Sequence, residues 1–213
     1  MTVLATIAGI SAPDSEFTRK ATSLAARVHS QAMLNHVHRT WWFADFLGKK
    51  RGLKYDREVL YLSTVLHDLG FTDEFAAEGR FEVDGADAAA RFLKESGYPD
   101  QKAQTVWESI ALHASFGIAD RLSPEVCLCC LGAYVDAFGM NLEEITPSLV
   151  DDTLALYPRV GFKNAFQQAL AEVARKKPHW ATGTGLADVA KRHVHGFACG
   201  NVCDMIVEAP FES

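Results

Sequence analysis

Three short segments of the sequence carry residue types that bind metal ions. His36 and His38 lie two residues apart. The pair His67-Asp68 follows an apolar run, and Asp136 stands in a later apolar stretch. Neutral imidazole and carboxylate groups are ligands that suit Zn²⁺, Fe²⁺ or Mn²⁺. A histidine beside an aspartate also arises where the aspartate caps a helix and the histidine donates to a backbone carbonyl. Taken alone, these residues therefore leave both a metal site and a structural role open.

The elements that would position these residues are helices. Apolar residues recur at helical spacing over most of the chain, and no stretch alternates as a strand does. Asp56, Ser123 and Thr146 are typical helix N-caps, and Gly48 is a candidate helix stop. The predicted helices run over about residues 14–29, 31–47, 56–69, 85–96, 100–114, 124–138, 147 onward, 164–176 and 186–197. The sequence therefore predicts an all-α fold, with His67-Asp68 at the end of the third helix and a long acidic loop (70–84) after it.

Length and composition limit the class of protein. The chain has 213 residues, of which 48% are hydrophobic, and this fits one globular domain. Its 21 Lys and Arg against 27 Asp and Glu give a formal charge of −6, so we expect neither nucleic acid nor a membrane as partner. The longest apolar run, near residues 3–10, is too short to cross a membrane and lacks a basic residue ahead of it, which argues against a signal peptide. Three of the five cysteines crowd into residues 127–130, a pattern that favours reduced thiols and a cytoplasmic protein.

In their order and setting, the metal-binding residue types resemble the H…HD…D pattern of the HD-domain superfamily of metal-dependent hydrolases. The segment His36-Val37-His38-Arg39-Thr40 fits the H-x-x-R-[VT] form of that superfamily, and residues 65–70 fit its apolar-HD-apolar-Gly signature. The resemblance implies one HD domain over residues 1–213, with a metal-binding core at about 30–140 and a C-terminal helical extension at about 146–213. The implied ligands of a single divalent ion are His36, His67, Asp68 and Asp136. Zinc is the expected ion, with iron or manganese as alternatives.

Two departures from the wider superfamily narrow this resemblance. Phe71 stands where nucleotide phosphohydrolases of the fold often have a glutamate, and Phe81 stands where the two-metal branch has a histidine. These two phenylalanines, together with the segments 80–86, 110–114 and 157–163, resemble the corresponding residues of the cyanamide hydratase-type subgroup. That resemblance implies the hydration of cyanamide, a small neutral substrate, to urea, in a small and partly apolar pocket.

Hydration of a nitrile also needs groups that move protons. The candidates that we favour are His113, in an apolar helix, and Asp73, in the loop after the HD motif; Glu74, Glu82 and Asp84 are further candidates. The same positions are also typical of a core histidine, of a solvated loop and of carboxylates at a helix start.

Two other functions stay open at this point. An HD-type phosphohydrolase acting on a nucleotide or a small phosphomonoester would bring two or more Arg or Lys side chains towards the metal. A non-catalytic metal-binding sensor would hold the ion with no open coordination position. Nitrile hydration predicts instead an aromatic and almost uncharged pocket. The oligomeric state is also open, with a homo-oligomer formed through the C-terminal helices as one option.

Overall fold

The protein, described by a computed structural model over residues 6, 7 and 9–210, is built almost wholly from helices. Two short strands, β1 (Thr6–Ile7) and β2 (Ile10–Ser11), pair antiparallel before the first helix. Ten α-helices lie in the described residues: α1 (Glu16–Val28), α2 (Gln31–Lys50), α3 (Arg57–Leu66), α4 (Phe81–Glu95), α5 (Asp100–Leu112), α6 (Pro124–Phe138), α7 (Pro147–Leu156), α8 (Phe162–Lys176), α9 (Leu186–His193) and α10 (Val202–Val207). The prediction of an all-α fold is confirmed. Across the described part of the chain, no helix is both long and apolar enough to cross a membrane, and the apolar run 3–10 lies partly outside it.

Several predicted helix boundaries are wrong. Helix α2 continues through Gly48, where a Cβ would lie 2.5 Å from the ring of Tyr55, so this glycine serves close packing and does not end the helix. Helix α4 begins at Phe81, because Glu82 and Asp84 belong to its first turn, where the helix dipole favours acidic side chains. The predicted loop after the third helix is therefore shorter, and it starts with a 3₁₀ turn over Leu69–Phe71. Helix α9 ends four residues before the predicted position 197, and α10 has no counterpart in the prediction.

The core is organised around α3, whose two faces enter two apolar clusters. Leu60 and Val65 pack with residues of α2 and α6, while Leu62 and Leu66 pack with residues of α1, α4 and α5. Asp56 caps this helix by accepting hydrogen bonds from two backbone N–H groups of its first turn. Because α3 is buried on both faces, the residues that follow its C-terminus are buried as well.

Two glycines allow close backbone contact between the segments that carry the candidate functional residues. A Cβ on Gly132 of α6 would lie 2.4 Å from the carbonyl oxygen of Thr40 in α2. A Cβ on Gly70 would lie 1.9 Å from the carbonyl oxygen of Phe81 at the start of α4. Real Cβ atoms essentially never come within 3.0 Å of such an atom. Glycine therefore lets α6 lie directly on α2, and lets the 3₁₀ turn lie directly on α4.

The C-terminal helices α8 and α9 form a third apolar cluster with the start of α4. Val173 and Leu186 pack there with Phe81. Lys177, directly after α8, forms a buried salt bridge with Asp84 of α4 and donates to the carbonyl oxygen of Gly79 at 3.0 Å. The C-terminal part of the chain is thus anchored to the segment that follows the HD motif.

Candidate metal centre

Three of the four predicted metal ligands meet in the interior. The Nε2 atoms of His36 and His67 lie 3.4 and 3.3 Å from Oδ2 of Asp68. One ligand atom from each of the three residues lies within 4.8 Å of the other two, and each side chain is only 1% exposed. The geometry thus joins residues from α2 and from the turn after α3, which are more than thirty positions apart in the chain.

Two helix ends fix the rings of His67 and His113. Helix α3 ends at Leu66 and α5 ends at Leu112, so each histidine is the C-cap residue that follows. Their Nδ1 atoms donate to backbone carbonyl oxygens three residues earlier, at 2.7 Å for His67 and 2.6 Å for His113. A helix end leaves such carbonyls free and carries a partial negative charge. In both rings Nδ1 therefore carries a proton and Nε2 is the nitrogen that faces the cluster, and both helix dipoles favour a cation beside them.

Asp136 lies on the other nitrogen of His36. Its Oδ2 accepts a hydrogen bond from His36 Nδ1 at 2.6 Å, and Arg39 binds both carboxylate oxygens, through Nε at 2.7 Å and Nη2 at 2.8 Å. Burial alone would raise the pKa of Asp136, but the hydrogen bonds from His36 and Arg39 outweigh it and hold that pKa well below its ordinary range. Asp136 thus fixes the tautomer that leaves Nε2 of His36 free. Its assignment as a metal ligand stays a prediction.

Arg159, between α7 and α8, and Phe162, the first residue of α8, enclose this pair, a feature that the sequence does not predict. Arg159 donates to the backbone and side-chain oxygens of Asp136, and Phe162 stacks on His36 with ring centroids 4.8 Å apart. Arg39 also donates to the carbonyl oxygens of residues 157 and 158. The only sequence signal was the likeness of residues 157–163 to the cyanamide hydratase-type subgroup, which indicated no role for any single residue.

The electrostatics of the cluster fit a divalent cation. Oδ2 of Asp68 is buried and accepts no hydrogen bond, and it faces the Nε2 atoms of His36 and His67. Burial, followed by the neighbouring rings of His113 and His36, holds the pKa of His67 well below its ordinary value, so this ring is neutral at pH 7. A carboxylate and two nitrogen lone pairs repel one another unless a positive charge lies between them. His₂Asp is a donor set that zinc, iron and manganese accept.

Two of the proton-handling candidates line a cavity that also reaches this cluster. His113 is buried, with Nε2 3.8 Å from Oδ1 of Asp68. Glu82 lines the same cavity and is paired with Arg80 at 2.6 Å. His113 therefore reaches the carboxylate oxygen that the other two rings do not face.

The remaining candidates form ion pairs elsewhere. Asp73 is 91% exposed and pairs with Lys176 at 2.7 Å, so the structure does not bring it to the cluster. Glu74 pairs at the surface with Arg27. Asp84 accepts from two backbone N–H groups and from the buried Lys177, which accounts for both of its oxygens. These three carboxylates hold the segment between α3 and α4 in place.

A cavity of about 610 Å³ opens above the cluster. Its floor holds His36, His67, Asp68 and His113, and its aromatic lining consists of Phe71, Phe81, Tyr134, Phe138, Phe166 and Trp180. Among the described residues that line it, Arg80 is the one with a permanently cationic side chain, and its partner is Glu82. The predicted aromatic and partly apolar character is confirmed, but the lining is not almost uncharged, because it also holds Asp68, Arg80, Glu82 and Asp188. The predicted small size is wrong, because α8 and α9 stand away from the cluster and enclose additional space.

Comparison with known proteins gives a distant likeness. No protein-family model matches the chain. Two proteins of Saccharomyces cerevisiae, named cyanamide hydratase DDI2 and cyanamide hydratase DDI3, are each 24% identical to it over 181 residues. The matched region covers 83% of this chain and 80% of each yeast protein. The similarity therefore extends well beyond His36, His67 and Asp68. Because the identity is only 24%, the activity of this chain has to be inferred from its own site.

Proposed function

We propose that this protein is an HD-type metal-dependent hydratase that converts cyanamide to urea. The observation that carries the proposal is the buried cluster of His36, His67 and Asp68 at the floor of a cavity with aromatic walls. The names of the two yeast relatives support the same reaction. A small neutral nitrile suits a cavity of this kind, since it needs no compensating charge.

His36, His67 and Asp68 would hold one divalent ion, zinc in first place and iron or manganese by the same donor chemistry. When bound, the ion lowers the pKa of water in contact with it, to about 7 for zinc, and so supplies a nucleophile at neutral pH. Asp136 would keep the Nδ1 proton on His36. The carbonyl oxygen of Thr64 would do the same for His67.

His113 is the residue that we assign to proton transfer. Its Nδ1 donates to a carbonyl, so Nε2 is the nitrogen of this ring that would exchange a proton, on the cavity side of Asp68. During hydration the water oxygen bonds to the nitrile carbon, water loses one proton, and the nitrile nitrogen gains one. His113 can accept the first proton and return it to the nitrogen, which leaves its own charge unchanged at the end.

The charges around the cavity argue against a phosphomonoester. A phosphohydrolase needs surplus positive charge beside the metal, whereas the one Arg in the lining is neutralised by Glu82. Asp188, which also lines the cavity, adds a negative charge that would repel a phosphate group. A neutral substrate avoids this repulsion.

The experiment that tests the proposal is urea release from cyanamide by purified protein of known metal content. We expect turnover by the protein that holds one equivalent of metal and none by His67→Ala. Asp151→Asn, a change on the exposed face of α7, is the matched control and should retain both metal and activity. Absence of urea from fully loaded protein would overturn the proposal.

A further inference from the structure

We propose that the preferred substrate is an N-substituted cyanamide, in which a neutral apolar or aromatic group occupies the outer cavity. This inference rests on the proposed function and specifies its substrate class. The observation behind it is a mismatch between the size of the cavity and the size of cyanamide.

Cyanamide has only three heavy atoms, whereas the cavity encloses about 610 Å³. Cavities of roughly 300–1,000 Å³ hold ligands of drug size, while one water molecule takes about 30 Å³ in the liquid. Cyanamide on the cluster would therefore leave most of the cavity to solvent. Because the outer walls are largely apolar, water there has few hydrogen-bond partners, and an apolar group gains affinity by displacing it.

The polarity of the cavity changes along its depth. The ionisable residues of the inner end are His36, His67, Asp68 and His113, all buried. The outer wall comes from α8 and α9, where Leu170, Val173, Leu186 and Val189 line the cavity. A ligand with one polar end and one apolar end matches this order, with its nitrile at the cluster and its substituent against α8 and α9.

Aromatic rings connect the two ends. Phe166 of α8 lines the cavity, and its ring centroid lies 5.7 Å from that of His36. Phe138 lies 6.4 Å from Phe166, and its side chain is exposed. This row of rings leads from the metal cluster to the surface. It provides flat apolar contacts for an aryl or arylalkyl group along the whole path.

The charges around the cavity favour a neutral substituent. Arg80 and Glu82 neutralise each other, and Asp188 at the rim would repel an anionic group. The reaction itself is unchanged by the substituent. Water adds to R–NH–C≡N, its oxygen bonds to the nitrile carbon, one proton passes to the terminal nitrogen, and R–NH–CO–NH₂ results after tautomerisation.

The test compares kcat/KM for cyanamide and for benzylcyanamide with metal-loaded protein. Burial of a phenyl-sized group is worth enough to raise kcat/KM at least about tenfold for benzylcyanamide. Leu170→Trp, which fills the outer cavity, should lower the ratio of the two kcat/KM values at least about tenfold. Leu156→Trp, the same change on an exposed position of α7 outside the cavity, should leave the ratio as in the wild type.

A readout that needs no turnover is the calorimetric binding of benzylurea, the product. We expect measurable binding to the wild type and to Leu156→Trp, and at least about tenfold weaker binding to Leu170→Trp. Turnover of cyanamide without preference for benzylcyanamide, or a ratio that Leu170→Trp leaves unaltered, would overturn this inference and leave the proposed function standing. Absence of any urea product from both substrates would overturn both.

Discussion

The three histidines around Asp68 share one tautomer, because each Nδ1 donates to an oxygen that accepts. His67 and His113 donate to carbonyls at helix ends, and His36 donates to Asp136. The cost of this arrangement falls on Asp68, whose Oδ2 is buried without a donor. An acceptor left without a partner in a protein interior destabilises the fold by about 1–3 kcal/mol. The residues of the centre are therefore arranged for a cation at the expense of metal-free stability.

This conflict makes Asp68→Asn an informative substitution. An amide N–H at this position can donate to the Nε2 atoms that now face the carboxylate, so the metal-free variant should be more stable than the metal-free wild type by about 1–3 kcal/mol. The same change should abolish metal binding and urea release. Urea denaturation in the presence of chelator, with metal analysis of the untreated proteins, measures both effects. A less stable variant, or one that retains its metal, would contradict the repulsion inferred here.

Asp45 is a second buried carboxylate, and unlike Asp68 it is paired with basic side chains. Burial alone would raise its pKa, but hydrogen bonds from Arg57 and Lys49 outweigh this, and the pKa lies below the ordinary 3.8. A depressed carboxyl pKa contributes stability above the unfolded-state pKa, and that contribution is lost as the pH falls through the folded-state pKa. The bases are more than a third exposed, so solvent screening limits the contribution to about 1–2 kcal/mol.

We therefore expect Asp45→Asn to lower the free energy of unfolding by about 1–2 kcal/mol at pH 7, with the deficit shrinking below roughly pH 4. Denaturant unfolding at a series of pH values measures this difference. Asp151→Asn on the exposed face of α7 is the control and should show little deficit at any pH. A deficit for Asp45→Asn that stays constant down to acid pH would show that the carboxylate charge is not responsible.

The sequence predicts the residues of the candidate metal centre, but it does not predict the basic residues that hold the surrounding carboxylates in place. His36, His67 and Asp68 could be predicted because an ordered motif and helical periodicity point to the same positions. Arg159 and Lys177 could not, because their partners Asp136 and Asp84 lie 23 and 93 positions away. No local pattern separates these two from the other 19 basic residues among the 21 of the chain.

At the scale of elements, the centre depends on how closely α2 and α6 approach each other. These helices supply His36 and Asp136, and Gly132 permits their contact, since a Cβ there would lie 2.4 Å from the carbonyl oxygen of Thr40 and 2.9 Å from Cβ of Ala44. Backbone of a helix cannot move away from an added methyl group as a flexible side chain can. The added atom must therefore separate the two helices.

Gly132→Ala should destabilise the protein by about 1–3 kcal/mol and weaken metal binding, because the bond between His36 and Asp136 spans the two helices. The control is Gly185→Ala, at a helical φ of −60° with no atom near the added Cβ, whose effect on stability should stay within about 0.5 kcal/mol. Thermal unfolding and metal titration of both variants provide the comparison. Equal behaviour of the two would mean that the helices adjust to the methyl group.

Helix positions could be predicted where the signal is local, and were mispredicted where it is not. Asp56 and Thr146 accept hydrogen bonds from the first turns of α3 and α7, as their residue types suggest. The start of α4 was placed too late because Glu82 and Asp84 are equally typical of a loop and of a first helical turn. Contact with Gly70 and the salt bridge to Lys177 decide between them, and both are tertiary interactions.

At the scale of the whole molecule, the C-terminal helices enclose a cavity next to the buried residues His36, His67 and Asp68. Residues of α8 and α9 form the outer wall, and the buried salt bridge between Lys177 and Asp84 fixes them to α4. The size of the cavity could not be predicted from the sequence, because it depends on how far this wall stands from His36 and His67. The apolar character could be predicted, since Phe71 and Phe81 stand at the positions that narrowed the resemblance.

Metal binding should stabilise the fold, because His36, His67 and Asp68 join α2 to the end of α3. A ligand present at about a thousand times its Kd adds about 4.1 kcal/mol to the free energy of unfolding. For a chain of this length each kcal/mol raises Tm by about 2–4 °C, so chelator should lower Tm by roughly 8–16 °C. Calorimetry with and without chelator measures the shift, and His67→Ala should show none. An equal shift in His67→Ala would place the ion elsewhere in the molecule. No shift in wild type that had lost a full equivalent of metal would mean that the ion binds the folded and unfolded chains equally well, and it would contradict this prediction.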